Sequence, residues 1–135
     1  MPFITWNEKF DVRVRELNAQ HRKLFDMINN LHDALFQGES REVLGKTLMG
    51  LVDYTKMHFS AEEKYMVSYG YPEHTNHKTQ HDQFVRKVLD FQKDFNEGKL
   101  GISLDVMNFL TDWLSSHILA LDTKYGPFFN AKGLI

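Results

Sequence analysis

Apolar residues recur at every third or fourth position along most of the chain, which is the spacing of amphipathic α-helices. No stretch alternates with the period of two that marks a strand. Asn18, Ser40 and Ser103 are suitable N-caps, and Gly126 followed by Pro127 is a predicted stop. These signals predict four helices, at about 18–36, 40–69, 73–97 and 103–126.

Four amphipathic helices with short connections predict an all-α fold, an antiparallel up-down-up-down four-helix bundle with an N-terminal arm. The 135 residues correspond to a single domain. Gly45 and Gly50 weaken the second helix, and close packing against a neighbouring helix is one reason to find them there. We expect an arm at 1–17, the bundle at 18–126 and a C-terminal tail at 127–135.

The composition argues against several classes of protein. A formal net charge of -2, without a run rich in lysine and arginine, argues against a nucleic-acid partner. The absence of cysteine excludes disulfides, thiolate metal sites and thiol catalysis. No secretory signal is visible, and no apolar run approaches the ~20 residues of a membrane span. We therefore expect a cytoplasmic protein without a transmembrane segment.

Histidine is the unusual residue, with seven in the chain. In the segment HKTQH, His77 and His81 stand four apart, so both imidazoles can lie on one face of a helix. Such a pair is often coincidental, and Lys78 occupies the position at which a zinc protease needs its glutamate. The other three helices carry similar side chains among apolar neighbours: His21, His58 with Glu62, and His117 with Asp122.

The alternative interpretation is a bundle that tolerates histidines in its core. That bundle would bury five imidazoles and two carboxyl groups without partners, each at a cost of a few kcal/mol, whereas a metal would satisfy them together. Seven donors exceed the needs of one tetrahedral zinc, and a calcium site would not use five imidazoles. Two first-row metals bridged by two carboxylates fit the count, and imidazole with carboxylate suits iron.

The spacing of His117 and Asp122 is unusual for two ligands of one site. Five residues span about 140° around a regular α-helix, so the two side chains would point in different directions. A local π-type distortion would bring them together. We therefore predict an irregular helix near residues 117–122.

The combined spacing resembles the hemerythrin family, specifically the single-domain bacteriohemerythrins. The pattern is His21, His58-x-x-x-Glu62, His77-x-x-x-His81 and His117-x-x-x-x-Asp122, with further matches at Trp6, Gln20, Glu63, Met66, Gly70-Tyr71-Pro72 and Trp113-Leu114.

The resemblance implies a non-heme di-iron cofactor. One iron would be held by His77, His81 and His117, and the other by His21 and His58. Bridges between them would be Glu62, Asp122 and an oxo or hydroxo group. The same resemblance implies a dioxygen pocket lined by Leu24, Phe59, Trp113, Leu114 and Ile118.

The implied function is reversible dioxygen binding by a carrier or store, with dioxygen held as hydroperoxide on the two-histidine iron. A dioxygen-consuming enzyme is an expected partner. The alternatives are a di-iron oxidase or peroxidase, and a sensor of dioxygen, nitric oxide or redox state. Only two carboxylates are recruited, whereas bundle di-iron enzymes usually carry more, in Glu-x-x-His motifs. Carriage without enzymatic activity is therefore favoured.

Overall fold

The computed structural model describes residues 3–98 and 104–135, and these residues form helices and no strand. The elements are a 3₁₀ turn at Glu8–Phe10, α1 at Arg15–Phe36, α2 at Arg41–Tyr69, α3 at His74–Asn96, α4 at Leu104–His117, a π-helical turn at Ile118–Asp122 and α5 at Thr123–Ala131. The last three elements follow one another without a break and supply the fourth member of the bundle. The predicted all-α four-helix bundle is confirmed. None of the helices described combines the length and the apolar character needed to cross a membrane.

The ends of α2 follow from local chemistry. The hydroxyl oxygen of Ser40 accepts a hydrogen bond from the backbone N–H of Val43 at 3.2 Å, so the predicted cap is confirmed. At the other end Gly70 adopts a left-handed conformation with φ of 70°, which glycine adopts without a Cβ penalty. The cap predicted at Ser103 lies outside the described residues.

The cap predicted at Asn18 is wrong, because α1 begins earlier, at Arg15. The Asn18 side chain accepts from the Val12 N–H at 3.0 Å and donates to the Asp11 carboxylate at 2.7 Å. It therefore holds the arm against the helix. Val12 and Val14 are fully buried. Their burial fixes the chain just before Arg15, so α1 begins there and not at Asn18. The arm accordingly ends at Val14.

The stop predicted at Gly126 and Pro127 is also wrong, since α5 continues through both residues to Ala131. Proline removes one backbone hydrogen bond, but Tyr125 and Phe129 are fully buried on this segment and their packing keeps it helical. Most of the predicted tail therefore belongs to the last helix. Gly126 has a different role: a Cβ there would collide with the backbone carbonyl of Val12.

The Gly126→Ala variant is expected to lose about 1–3 kcal/mol of unfolding free energy, because two backbones would have to separate. Gly50→Ala is the matched control: its Cβ would lie 3.7 Å from the Met27 methyl, an ordinary contact. Alanine is the better helix former, so Gly50→Ala should gain up to about 1 kcal/mol. Urea unfolding of the metal-free proteins measures both changes. A Gly126→Ala midpoint equal to that of the parent would contradict the close approach of arm and helix.

The inward face of α2 shows how the fold positions polar residues. Its buried positions run from Leu48 through Thr55, then His58 and Glu62, and return to an apolar side chain at Met66. The histidine and the glutamate therefore lie between apolar turns of the same helix. A polar layer is set inside an otherwise hydrophobic core, where unpaired polar groups are costly.

Candidate metal centre

Seven buried side chains of donor type converge in the interior of the bundle, and each is at most 4% exposed. They fall into two overlapping groups, and within each group the donor atoms lie within 4.8 Å of one another. Both carboxylates belong to both groups. One group is His77, His81, His117, Glu62 and Asp122, and the other is His21, His58, Glu62 and Asp122. The structure thus brings together all seven residues singled out in the sequence, in the predicted division.

In the three-histidine group the imidazole nitrogens face one point. Nε2 of His117 lies 3.0 Å from Nε2 of His81 and 3.0 Å from Nε2 of His77. One ring nitrogen makes a single hydrogen bond, so it cannot satisfy both neighbours. Adjacent ligands of an octahedral ion with bonds of about 2.1 Å are about 3.0 Å apart, against about 3.4 Å around a tetrahedral ion. The two observed spacings fit neighbouring positions around an octahedral ion.

The two carboxylates lie between the groups. Oδ1 of Asp122 is 2.9 Å from Nε2 of His77, and Oδ2 is 3.1 Å from Nε2 of His21. Oε1 of Glu62 is 3.2 Å from Nε2 of His81, and Oε2 is 3.4 Å from Nε2 of His21. Asp122 therefore turns one oxygen toward each histidine group, and Glu62 reaches both groups, since its Oε1 is also 3.4 Å from Nε2 of His58. This is the geometry required of two carboxylates that bridge a pair of metal ions.

Several donor atoms in this cluster are buried without a hydrogen-bond partner. They are Nε2 of His21, Nε2 of His58, Oε1 of Glu62 and Oδ1 of Asp122. Each such atom costs about 1–3 kcal/mol if it stays unsatisfied. All of them point to the positions that two cations would occupy. Five imidazoles and two carboxylates, with no thiolate, form a donor set suited to iron. The residues therefore fit a di-iron centre.

The irregular helix predicted near residues 117–122 is confirmed. Ile118–Asp122 is π-helical, and the N–H of Thr123 bonds to the carbonyl of Ile118, five residues earlier. A turn of this width returns the chain to the same face after five residues instead of four. His117 and Asp122 consequently point into one site, with Nε2 and Oδ1 3.1 Å apart.

The chain is similar in sequence to known proteins. The family model of the Hemerythrin HHE cation binding domain matches residues 12–129. The chain belongs to the hemerythrin family. This hemerythrin is similar to the bacteriohemerythrin of Methylococcus capsulatus, with 39% identity over 132 residues that cover 97% of this chain and 100% of the relative. It is 32% identical to the bacteriohemerythrin of Stenotrophomonas maltophilia, over 93% of this chain and 80% of that one.

Solved structures of hemerythrins have the same fold as this chain. A crystal structure of wild-type hemerythrin superposes on this hemerythrin with a TM-score of 0.89 and 40% identity, over 93% of this chain and 96% of the other. The family implies a di-iron centre, and the buried donors described above have the composition and the spacing that such a centre needs.

Three further side chains of this hemerythrin hold the donors in place. Nδ1 of His58 is 2.6 Å from the Gln20 amide oxygen, and Nδ1 of His81 is 2.8 Å from the Glu63 carboxylate. With the proton on Nδ1, each ring turns the lone pair of Nε2 toward the centre. The Tyr125 hydroxyl donates to Oε2 of Glu62. Sequence reasoning missed Tyr125, although it follows Asp122 by three residues and so lies on the same face.

Electrostatics keeps the carboxylates ionised in the metal-free site. Burial acts to raise the pKa of Asp122, but the facing histidines outweigh it and hold the pKa well below its ordinary value. Burial lowers the pKa of His58 to about 4, so this imidazole is neutral. Burial also acts to lower the pKa of His21, but the facing carboxylates of Asp122 and Glu62 prevail and raise it to about 9. The site therefore holds anionic oxygens ready for cations.

The residues predicted to line the dioxygen pocket do not all lie together: two line a small cavity, and two aromatic residues stack on histidines of the three-histidine group. Leu24 and Leu114 line a small apolar cavity of about 10 Å³, and Ile118 is fully buried directly after His117. The Phe59 ring stacks on His81 with centroids 3.8 Å apart, and the Trp113 ring stacks on His117 at 4.4 Å. These two aromatic rings thus cover the three-histidine group. Thr55 also lines the small cavity and was not predicted.

Proposed function

We propose that this hemerythrin binds dioxygen reversibly, as a carrier or store. His77, His81 and His117 would hold one iron, His21 and His58 would hold the other, and Glu62 and Asp122 would be shared by both. The observation that carries the proposal is the pair of donor groups that share both carboxylates but differ by one histidine. The two-histidine iron has fewer protein donors and therefore keeps room for dioxygen. The two irons supply the electrons that bound dioxygen takes up and returns.

The chain's task beside the centre is to exclude water and protons, because either would turn reversible binding into irreversible oxidation. Leu24, Leu114 and Ile118 provide apolar walls that are at most 4% exposed. Among the described residues that line the small cavity, Thr55 alone is polar, and its hydroxyl donates to the Leu51 carbonyl at 2.7 Å. Its proton is therefore engaged within α2 and is not offered to the cavity.

The dimensions of the interior favour carriage over oxidation of an organic substrate. The apolar cavity beside Leu24 and Leu114 measures about 10 Å³, which is roughly the space of one water-sized probe. A groove of about 600 Å³ is lined by Phe59, Glu63 and His81 but by neither His21 nor His58, so it does not open onto the two-histidine group. We therefore propose a non-enzymatic role, in which a dioxygen-consuming enzyme receives the dioxygen.

The test is to reduce the iron-loaded protein without air, admit dioxygen and then remove it by degassing. A visible charge-transfer band should appear with dioxygen and disappear on degassing, over repeated cycles. A single irreversible conversion to ferric protein, with continuous consumption of an added reductant, would identify an oxidase instead. A stable ferrous protein that gives no band at any dioxygen pressure would remove the proposal.

We expect the Leu114→Ala variant to take up dioxygen faster and to autoxidise faster than the parent. The substitution opens space in the wall of the cavity, so that both dioxygen and water reach the irons more easily. Stopped-flow uptake and the loss of the dioxygen band over hours measure the two rates. Leu119→Ala is the control, because Leu119 is 46% exposed on the adjoining turn. Two unchanged rates in Leu114→Ala would place this leucine outside the dioxygen pocket.

A further inference from the structure

The two histidine groups differ in the charge of their outer hydrogen-bond partners. In the two-histidine group, His58 donates from Nδ1 to the neutral amide oxygen of Gln20 at 2.6 Å. In the three-histidine group, His81 donates from Nδ1 to the carboxylate of Glu63 at 2.8 Å. One group is therefore backed by a neutral acceptor and the other by an anion, at almost the same distance.

The negative charge of Glu63 is directed at His81. The nearby Lys78 forms its ion pair with Asp82 at 2.8 Å and attracts Glu63 only at longer range, whereas within the described part of the chain the Glu63 carboxylate has an ion pair with His81 alone. The side chain of Glu63 is 19% exposed and that of His81 is 1% exposed, so solvent screens the pair incompletely. Two other outer nitrogens, Nδ1 of His21 and Nδ1 of His117, are buried without a partner, one in each group, and so do not offset this charge.

An anionic acceptor on the outer nitrogen increases the electron donation of a metal-bound imidazole, whereas a neutral amide does so less. Stronger donation stabilises the more highly charged ferric ion over the ferrous ion. Resting on the iron assignment proposed above, we propose that Glu63 makes the three-histidine iron the easier of the two to oxidise.

When an outer-sphere oxidant such as ferricyanide removes one electron from the diferrous centre, that electron leaves the iron held by His77, His81 and His117. No bond forms or breaks in this step. The two-histidine iron, which takes the dioxygen, stays ferrous. The hydrogen bond of Glu63 thus places the first oxidation on the iron that does not bind dioxygen.

Exchanging the two outer partners tests this inference. The double variant Gln20→Glu with Glu63→Gln keeps the composition and the net charge but reverses the asymmetry. The proteins are loaded with two irons per chain, kept free of dioxygen and oxidised by one electron, and azide is then added. Azide binds where a coordination position is free, on the two-histidine iron, and it gives an azide-to-iron charge-transfer band only if that iron is ferric. Because azide draws the ferric charge toward the iron that it binds, it is added below saturation, and we expect a weak band in the parent and a stronger band in the double variant at the same azide concentration.

The single variants give an independent measurement by redox titration. Glu63→Gln should raise the midpoint potential of the first oxidation by about 59 mV or more. For a one-electron couple, this corresponds to a tenfold change in the ratio of oxidised to reduced centre. Gln20→Glu should lower the midpoint of the two-histidine iron and introduce the azide band without any change at Glu63. If one single variant binds fewer than two irons per chain, the titration is made with the other single variant.

Equal midpoints in all four proteins, or an azide band of equal strength in the parent and the double variant, would overturn the inference. All these measurements are made without dioxygen. If dioxygen does not bind reversibly to the parent, the proposed function fails while the order of oxidation can still be read. If the double variant oxidises the two irons in the same order as the parent, the inference about Glu63 is wrong, and the proposal of reversible dioxygen binding is unaffected.

Discussion

We expect the Glu62→Gln variant to lose both irons. Glu62 belongs to both donor groups, so one substitution removes an oxygen donor and a negative charge from each. The amide that replaces it has one oxygen and cannot bridge two ions. Loss of a partner outside the ligand shell typically weakens metal binding by about 10–100-fold, and loss of a shared ligand should exceed that. Iron per chain, measured by elemental analysis after gel filtration, should fall from two to none.

Glu42→Gln is the matched control for this experiment. Glu42 lies on the same helix, is 78% exposed and forms an exposed ion pair with Lys46, one turn away. Its replacement should leave two irons per chain. Helical content by circular dichroism separates a lost site from a lost fold, since the bundle is held by its apolar core. Two irons retained in Glu62→Gln would show that Glu62 is not shared by the metals.

The donors were predictable because helical spacing places them. Residues four apart share a helix face, so pairs such as His58 with Glu62 could be assigned to the interior from the sequence. The five-residue spacing of His117 and Asp122 predicted the π-helical turn by the same reasoning. The division of the donors between two metals came from the family resemblance, and the structure groups them in the same way.

The remaining features depend on contacts between segments distant in sequence. Asn18 looked like a cap, but its partners are in the arm, where Val12 approaches within 3.0 Å. Gly126 looked like a helix stop, but the position lacks a side chain because the Val12 carbonyl lies against it. Tyr125 reaches Glu62, which is 63 positions away. The spacing of Tyr125 after Asp122 places both on one face, but no local pattern identifies the distant residue that each of these side chains contacts.

We expect the His58→Leu variant to keep one iron per chain and to lose dioxygen binding. The substitution leaves the group of His77, His81, His117 and the two carboxylates complete, with five donors. The other group keeps His21 as its only imidazole, and an ion held by one histidine and two shared oxygens is not retained through dilution. Leucine fits the buried position, and Gln20, which loses its partner, is only half-buried and can turn toward water.

Two measurements decide this prediction: iron per chain, and the dioxygen band after anaerobic reduction. His74→Leu is the control, because His74 lies in the first turn of α3 and belongs to neither donor group. It should keep two irons and full dioxygen binding. If His58→Leu still gave the band with a single iron, dioxygen would bind on the three-histidine side. The argument from unequal donor numbers would then have to be reversed. Retention of one iron without the band is the outcome that the geometry requires, because the five-donor group has no partner iron to supply the second electron.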